Sequence, residues 1–348
     1  MYASLKTVAF LFSVAIAALL SLANAVYIHP DEPTLSDPTD LVIELEDQPV
    51  TERQWRAIEV DSVLEIGGHD IQLQRPLQVV PSDRGVAVVD FGDRSVKQFD
   101  WSGTHVQTYG RAGRGPGEFV NPTDADIAEG TIWIADGSAR RLTRIDDDSA
   151  ETIPVETGAL RVAPLDRTSA FVMTATPAGE GLFSLVQNGE VTHRFGQIVA
   201  NQPQNAIALD GEIRSYGDHL FYSSYLGGFV LSYDRNGTLR FAVRTLNSQP
   251  LPDVEVTERG GGTVRRVPDK DYVNANLSVD ENGIHVFTIK GSVAESALVV
   301  DTYSREDGSY QYSVKIQKDL RKIRTLRDVH VGIENDTSVT AYWYRFTS

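Results

Sequence analysis

Apolar and polar residues alternate along most of this chain in short runs, and Gly, Asp, Asn and Pro break the runs apart. Alternation with period two over so few residues is the pattern of a half-buried β-strand. The clearest set is Thr123–Ala128, Ile132–Asp136, Leu142–Asp146 and Glu151–Val155. Tight turns join its members, so the set reads as a four-stranded antiparallel meander. The preceding segment supplies a second set: Leu77–Val80, Val86–Asp90, Val96–Asp100 and Val106–Tyr109.

These two sets are copies of one unit. A shift of 46 residues carries Pro76 onto Pro122, Asp90 onto Asp136, Arg94 onto Arg140 and Asp100 onto Asp146. The apolar positions stay in step. A period of this length marks a solenoid, a propeller or an array of small β-units.

The better copy contains Gly110-Arg-Ala-Gly-Arg-Gly-Pro-Gly-Glu-Phe119, then Pro122, then Ile132-Trp-Ile-Ala-Asp136, then Arg141-Leu142. This resembles the NHL repeat, with its glycine-rich turn, proline, apolar strand ending in Asp, and Arg-aliphatic pair five residues on. The earlier copy departs from it, since Ser95 stands where the repeat has Arg and Arg94 lies one place early. The motif match covers about Pro76–Asp146. It implies a β-propeller, and it implies no single activity, because NHL-like propellers bind proteins or RNA and some are enzymes.

The same rhythm continues without the Asp and Arg landmarks. Leu160–Pro164, Ala170–Thr174, Leu182–Gln187 and Val191–Phe195 form a third blade, with an Asn188-Gly189 hairpin turn. Ala206–Ile213, Leu220–Tyr225, Phe229–Asp234 and Leu239–Thr245 form a fourth. Tyr272–Val279, Ile284–Ile289, Ala297–Tyr303 and Tyr310–Ile316 form a fifth. Two strands at the C-terminal end, Leu326–Ile333 and Val339–Phe346, remain. They are expected to join Gln54–Asp61 and Val63–Gly67 in a sixth blade that closes the ring. The expected fold is an all-β, six-bladed propeller of four-stranded antiparallel blades over residues 54–348. Leu246–Asp271, with its prolines and Gly260–Gly262, is read as a long inter-blade loop or lid.

The segment before the ring divides in two. Met1–Ala25 has one early cation, the apolar run Val8–Leu22 and an Ala23-Asn24-Ala25 cleavage signal, the layout of a secretory signal peptide. An uncleaved membrane anchor is the other reading, though the run falls short of the ~20 residues a span needs. Residues 26–53 are rich in Pro, Asp and Glu and read as an extended, solvated linker with a short strand at Leu41–Leu45. The expected location is secreted or periplasmic.

Charge removes some functions. The formal net charge is −16, and loss of residues 1–25 takes away Lys6 and no acid, leaving −17. Binding to a nucleic-acid backbone needs the opposite balance. The chain has no cysteine, hence no disulfide and no thiolate chemistry. The glycine-rich turn opens a strand rather than a helix, so it lacks the N–H donors of a phosphate loop. No HExxH, G-x-S-x-G or calcium-loop spacing occurs, and Asp146–Asp148 reads as a solvated turn.

In such a ring the turns between second and third strands share a face with the connections between blades. That face carries Arg94, Arg140, Arg141 and, in the fourth blade, Tyr225. These four are the candidate ligand-binding residues, for an anionic or peptide ligand. A structural role for the repeated Asp and Arg, with Asp136 accepting turn N–H groups, is the competing reading. The function expected is an exported, monomeric, non-catalytic binding module for a protein or small molecule. The alternative is a propeller enzyme of lactonase or lyase type with a metal on the axis. Its candidate ligands are Asp124, Asp126, Asn205, Asn274, Asn276, Asp328 and His330. No cofactor is specified by the residues.

Overall fold

The computed structural model describes residues 35–37, 40–67, 71–146, 149–174, 181–200, 202–259, 262–268, 271–288, 298–316 and 320–347. The signal-peptide candidate, the start of the acidic segment, His69, Asp147 and Asp148 lie outside them. A three-residue strand, β1 (Leu35–Asp37), and a nine-residue strand, β2 (Ile58–Ile66), come first. Blade 1 is β3 (Pro76–Ser82), β4 (Gly85–Asp90), β5 (Ser95–Phe99) and β6 (His105–Tyr109). Blade 2 is β7 (Pro122–Ala128), β8 (Thr131–Asp136), β9 (Arg141–Ile145) and β10 (Ala150–Pro154). Blade 3 is β11 (Ala159–Pro164), β12 (Ser169–Thr174), β13 (Phe183–Gln187) and β14 (Glu190–Phe195). Blade 4 is β15 (Gly211–Tyr216), β16 (His219–Ser224), β17 (Phe229–Asp234) and β18 (Leu239–Arg244). A hairpin follows, β19 (Val254–Arg259) and β20 (Gly262–Arg266). Blade 5 is β21 (Asn274–Asp280), β22 (Gly283–Thr288), β23 (Leu298–Tyr303) and β24 (Tyr310–Ile316). The chain ends with β25 (Arg321–Leu326), β26 (Val329–Ile333) and β27 (Val339–Phe346), which pair in the order β2-β27-β26-β25 as blade 6.

Burial explains why these sequences make blades. Every position of β4, β8, β12 and β22 is buried, because a second strand has a neighbouring blade against each face. The outer strands β6, β10 and β14 are mostly exposed. Six apolar clusters fill the six gaps between blades. The gap between blades 1 and 2 holds Val89, Val96, Ile132 and Ile134. The gap between blades 6 and 1 holds Val331, Val339, Val79 and Val88. That last cluster, with β25 against β3, makes the ring continuous. The Asn188-Gly189 turn has φ of +50° and +84°, as a two-residue hairpin of this kind requires.

Three sequence expectations change in detail. The closing blade takes three C-terminal strands and one N-terminal strand, rather than two of each, because Arg321–Leu326 forms an inner strand of its own. Gln202–Asn205 is a short helix and Ala206–Leu209 a helical turn, so the inner strand of blade 4 begins at Gly211. The insertion holds a hairpin, to which β1 adds a third strand. Its Val254 and Val267 pack on Ala208 and Leu226, so it is seated on the ring with a small core of its own.

The acidic segment expected to be solvated is a strap along the rim. Val42 N–H donates to Ile198 O at 2.9 Å, and Glu46 exchanges two backbone bonds with Ala242 and Arg244 on β18. Gln48 Nε2 donates to Arg244 O and Gly308 O at 3.0 and 3.1 Å. Arg53 makes a two-point contact with Asp301 at 2.8 and 2.9 Å, and Gln54 and Arg56 pair with Ser313 on β24. Outer strands leave unpaired N–H and C=O groups, and the strap covers part of that edge on blades 4 and 5 before β2 completes blade 6.

Closure predicts strong cooperativity. Removing residues 339–348 takes away β27, which separates β2 from β26, and opens the ring. The truncated chain is expected to lose its cooperative melt in far-UV circular dichroism. An unchanged melting temperature would contradict closure by this blade.

Candidate functional site

The repeated Asp holds the innermost strands in place. Asp136 accepts N–H bonds from Val120 and Asn121 at 2.8 and 2.9 Å, fixing the chain where it enters β7. Asp90 does the same for Gln74 and Arg75 at 2.8 and 2.7 Å ahead of β3. Burial pushes the Asp90 carboxyl up, but Lys97 Nζ at 2.6 Å and the two N–H donors outweigh it and hold it below the usual range. Arg141 is buried and donates to the carbonyls of Arg114 and Glu118, so it clamps the glycine-rich loop. In blade 1 this position is Ser95 and the cation sits two residues on, at Lys97, on the same face of its strand. Gly110 is required in the loop: its φ is +79°, and a Cβ there would lie 2.2 Å from the Phe119 ring.

The inner strands share a second feature. In β3, β7, β11, β21 and β25 the register slips by one residue, just before Gln78, Asp124, Arg161, Asn276 and Arg324 respectively. A bulge re-aims the side chain that follows it. All five residues are buried and polar, and β15, which has no bulge, contributes Glu212 and Arg214. Each blade therefore supplies at least one buried polar side chain from its innermost strand.

Several of these meet across the axis. Asp124 accepts from Val162 N–H at 3.1 Å and lies 3.3 Å from Arg214 and 3.4 Å from Arg324. Asp126 lies 3.1 Å from Arg324 and 3.8 Å from Arg214. Glu212 pairs with Arg214 at 2.7 Å and with Arg161 at 3.5 Å, and it accepts the Tyr225 hydroxyl. Burial pushes the Asp124 carboxyl up, against the pull of Arg214. Burial pushes Glu212 the same way, yet Arg214, Arg161 and Lys322 win there and hold it far below the usual range. Gln78 Oε1, Asn276 Oδ1 and the Nε atoms of Arg161 and Arg324 are buried without a hydrogen-bond partner among the described residues.

The four sequence candidates separate. Arg94 and Arg140 sit in equivalent turns of blades 1 and 2, with φ of +57° and +52°, and neither guanidinium makes an ion pair among the described residues. Arg141 lies beneath the loop it clamps. Tyr225 bends inward from blade 4 and reaches the axial cluster through Glu212. Of the metal candidates, Asp124 and Asp126 converge, but arginines occupy the space beside them. Asn274 bonds Ser223 and Ser224 of blade 4. Asn205 lies in the short helix, where it bonds Ala200 O. Asp328 is in the turn before β26. Among the described residues no three of His, Asp or Glu stand close enough to hold a metal ion.

His330, expected on the innermost strand, is in β26, the second strand. Its ring bonds Thr325 at 2.7 Å and stacks on Tyr344 at 4.2 Å. Arg161, Glu212, Arg214, Lys322 and Arg324 were not singled out by sequence. The available signal is a polar residue early in an inner strand, the position that Asp124 already marks.

No protein-family model matches the chain, and no curated protein matches it in sequence. The fold is similar to that of a Bacteroides fragilis protein described as exported, with TM-score 0.59 and 12% identity over 87% of this chain and 99% of that one. A DUF4221 family member from Bacteroides vulgatus gives TM-score 0.57 and 9% identity over 84% and 98%. A streptogramin B lyase gives 0.53 and 10% over 82% and 98%. Identities this low carry the fold and no activity.

Two outcomes follow. Asp124→Ala leaves Arg214 and Arg324 short of a buried partner and should destabilise the ring by about 3 kcal/mol in urea unfolding. Asp124→Asn, which keeps an acceptor for Val162 but removes the charge, should cost less, and equal losses would show that the charge carries the whole effect and the acceptor none. For His330, burial, with His285 adding, pushes the ring down to about 3. The unfolded chain therefore takes up a proton below about pH 6.5 that the folded chain refuses. This stability is full above pH 6.5 and is lost as pH falls toward 3. Between pH 6.5 and 5 the loss should be about 2 kcal/mol, and His330→Gln should remove it. An equal slope in both proteins would contradict the assignment.

Proposed function

We infer that this chain is an NHL-like propeller that works outside the cytoplasm as a binding module, taking an anionic protein or small-molecule ligand on the face of the inter-blade loops. The observation that carries this reading is the placement of cations. In a chain of formal charge −16, Arg94 and Arg140 stand on one face without ion-pair partners. Tyr225, on the same face, leads to the axial cluster. Arg141 acts through the loop it holds. An anion approaching elsewhere meets a largely acidic surface, whereas here it meets donors that are not already engaged. Each charge-assisted contact, if shielded, would contribute about 1.5–3 kcal/mol, and at the rim about 0–1 kcal/mol.

The insertion belongs to this surface. It emerges between blades 4 and 5 on the loop face, and Tyr272 at its end touches the Tyr225 ring, with centroids 6.3 Å apart. Secretion follows from the leader-like residues 1–25, and the mature protein recovered from outside the cytoplasm is expected to begin at Val26.

The test uses a pooled library of acidic peptides. The parent protein should retain a subset, and Arg94→Ala combined with Arg140→Ala should weaken the retained peptides about tenfold. Variants that bind like the parent, or a parent that retains nothing, would move the binding surface away from this face.

A further inference from the structure

Four cations surround the axis, and they are not used alike. Arg214 and Arg324 are engaged by Asp124, Asp126 and Glu212. Arg161 donates to the carbonyl of its own neighbour, Leu160, and reaches Glu212 only at 3.5 Å, with its buried Nε left without a hydrogen bond. Lys322 makes no ion pair among the described residues; its ammonium lies 5.6 Å from the centroid of the Tyr225 ring. Lys322 also has φ of +48°, a backbone conformation that residues with a Cβ avoid, in the bulge of β25. The fold holds a lysine in that conformation where glycine would be easier, with its amine over the Tyr225 ring.

The surroundings define what would complete this arrangement. Four cations face three carboxylates, Asp124, Asp126 and Glu212, leaving one positive charge in excess. The fourth carboxylate, Asp210, is more than a quarter exposed and 3.9 Å from Arg161, so water screens it. Burial lowers the affinity of Lys322 for its proton, and Arg161 adds to that, although Glu212 opposes it. A bound anion would relieve both. The Tyr225 ring stands beside the amine and Tyr272 packs against that ring at 6.3 Å, so the two offer an apolar wall.

We propose that the mouth of the axial cluster binds a small organic monocarboxylate, its oxygens between the Lys322 ammonium and the Arg161 guanidinium and its body against Tyr225 and Tyr272. This rests on the loop-face reading and gives it a ligand class. One negative charge balances the excess, whereas a phosphate dianion overshoots it. The aromatic wall favours a carboxylate with an apolar body over acetate.

The experiment follows thermal unfolding of the full chain in sodium benzoate, acetate and phosphate, against sodium chloride at equal ionic strength. Benzoate should raise the melting temperature more than acetate, and phosphate should match chloride. Calorimetric affinity for benzoate should fall about tenfold or more in Lys322→Met and be largely kept in Lys322→Arg. A second readout needs no variant: benzoate should protect Lys322 from acetylation by acetic anhydride, followed by mass spectrometry of the parent protein. Binding retained in Lys322→Met, stabilisation by phosphate instead of benzoate, or no protection of Lys322 would each overturn the proposal. The loop-face reading fails separately, through Arg94→Ala with Arg140→Ala on acidic peptides, since neither residue touches the axis.

Discussion

The contact between Asp124 and the guanidinium groups of Arg214 and Arg324 sets the character of the axis. It joins blade 2 to blades 4 and 6 across the centre of the ring. Desolvated charges are tolerated only when their partners are positioned well, and here partners arrive from strands 90 and 200 residues apart in sequence. The arrangement exists only once the ring has closed. Closure depends in turn on the apolar cores in every gap and on β2 joining the C-terminal strands.

Around this centre the protein divides its polar chemistry by radius. The repeated acids Asp90 and Asp136 stand at the loop-side ends of second strands, where they fix the entrance to each inner strand. In every blade but the fourth, a bulge then turns a polar side chain toward the interior. Farther out, the strap from Asp40 to Arg56 meets strand edges with backbone bonds and with the Arg53–Asp301 pair. Each layer meets a different requirement: loop geometry, axial charge, and edge protection.

The sequence by itself determined the period, the six blades, the antiparallel order and the joining of the two ends. Alternation is local, and the Pro, Asp and Gly landmarks recur because each blade needs the same turn chemistry. It also marked Asp124 and Asp126 as inward polar residues, and Tyr225 as part of the loop face. Boundaries were less legible where local signals conflict: Ala206–Leu209 has strand-like composition but turns as a helix, and the acidic strap has few apolar residues yet finds edges to pair with.

Only the tertiary structure decided which charges meet. Arg161, Glu212, Arg214, Lys322 and Arg324 lie in strands whose sequences carry no shared motif, and single-residue bulges set the aim of those in β11 and β25. A slip of one residue moves a side chain from one face of a strand to the other, so sequence alternation predicts the strand and leaves its axial residue undefined. The same reason separates Arg141 from Arg140: adjacent in sequence, one is clamped beneath a loop and the other stands in solvent.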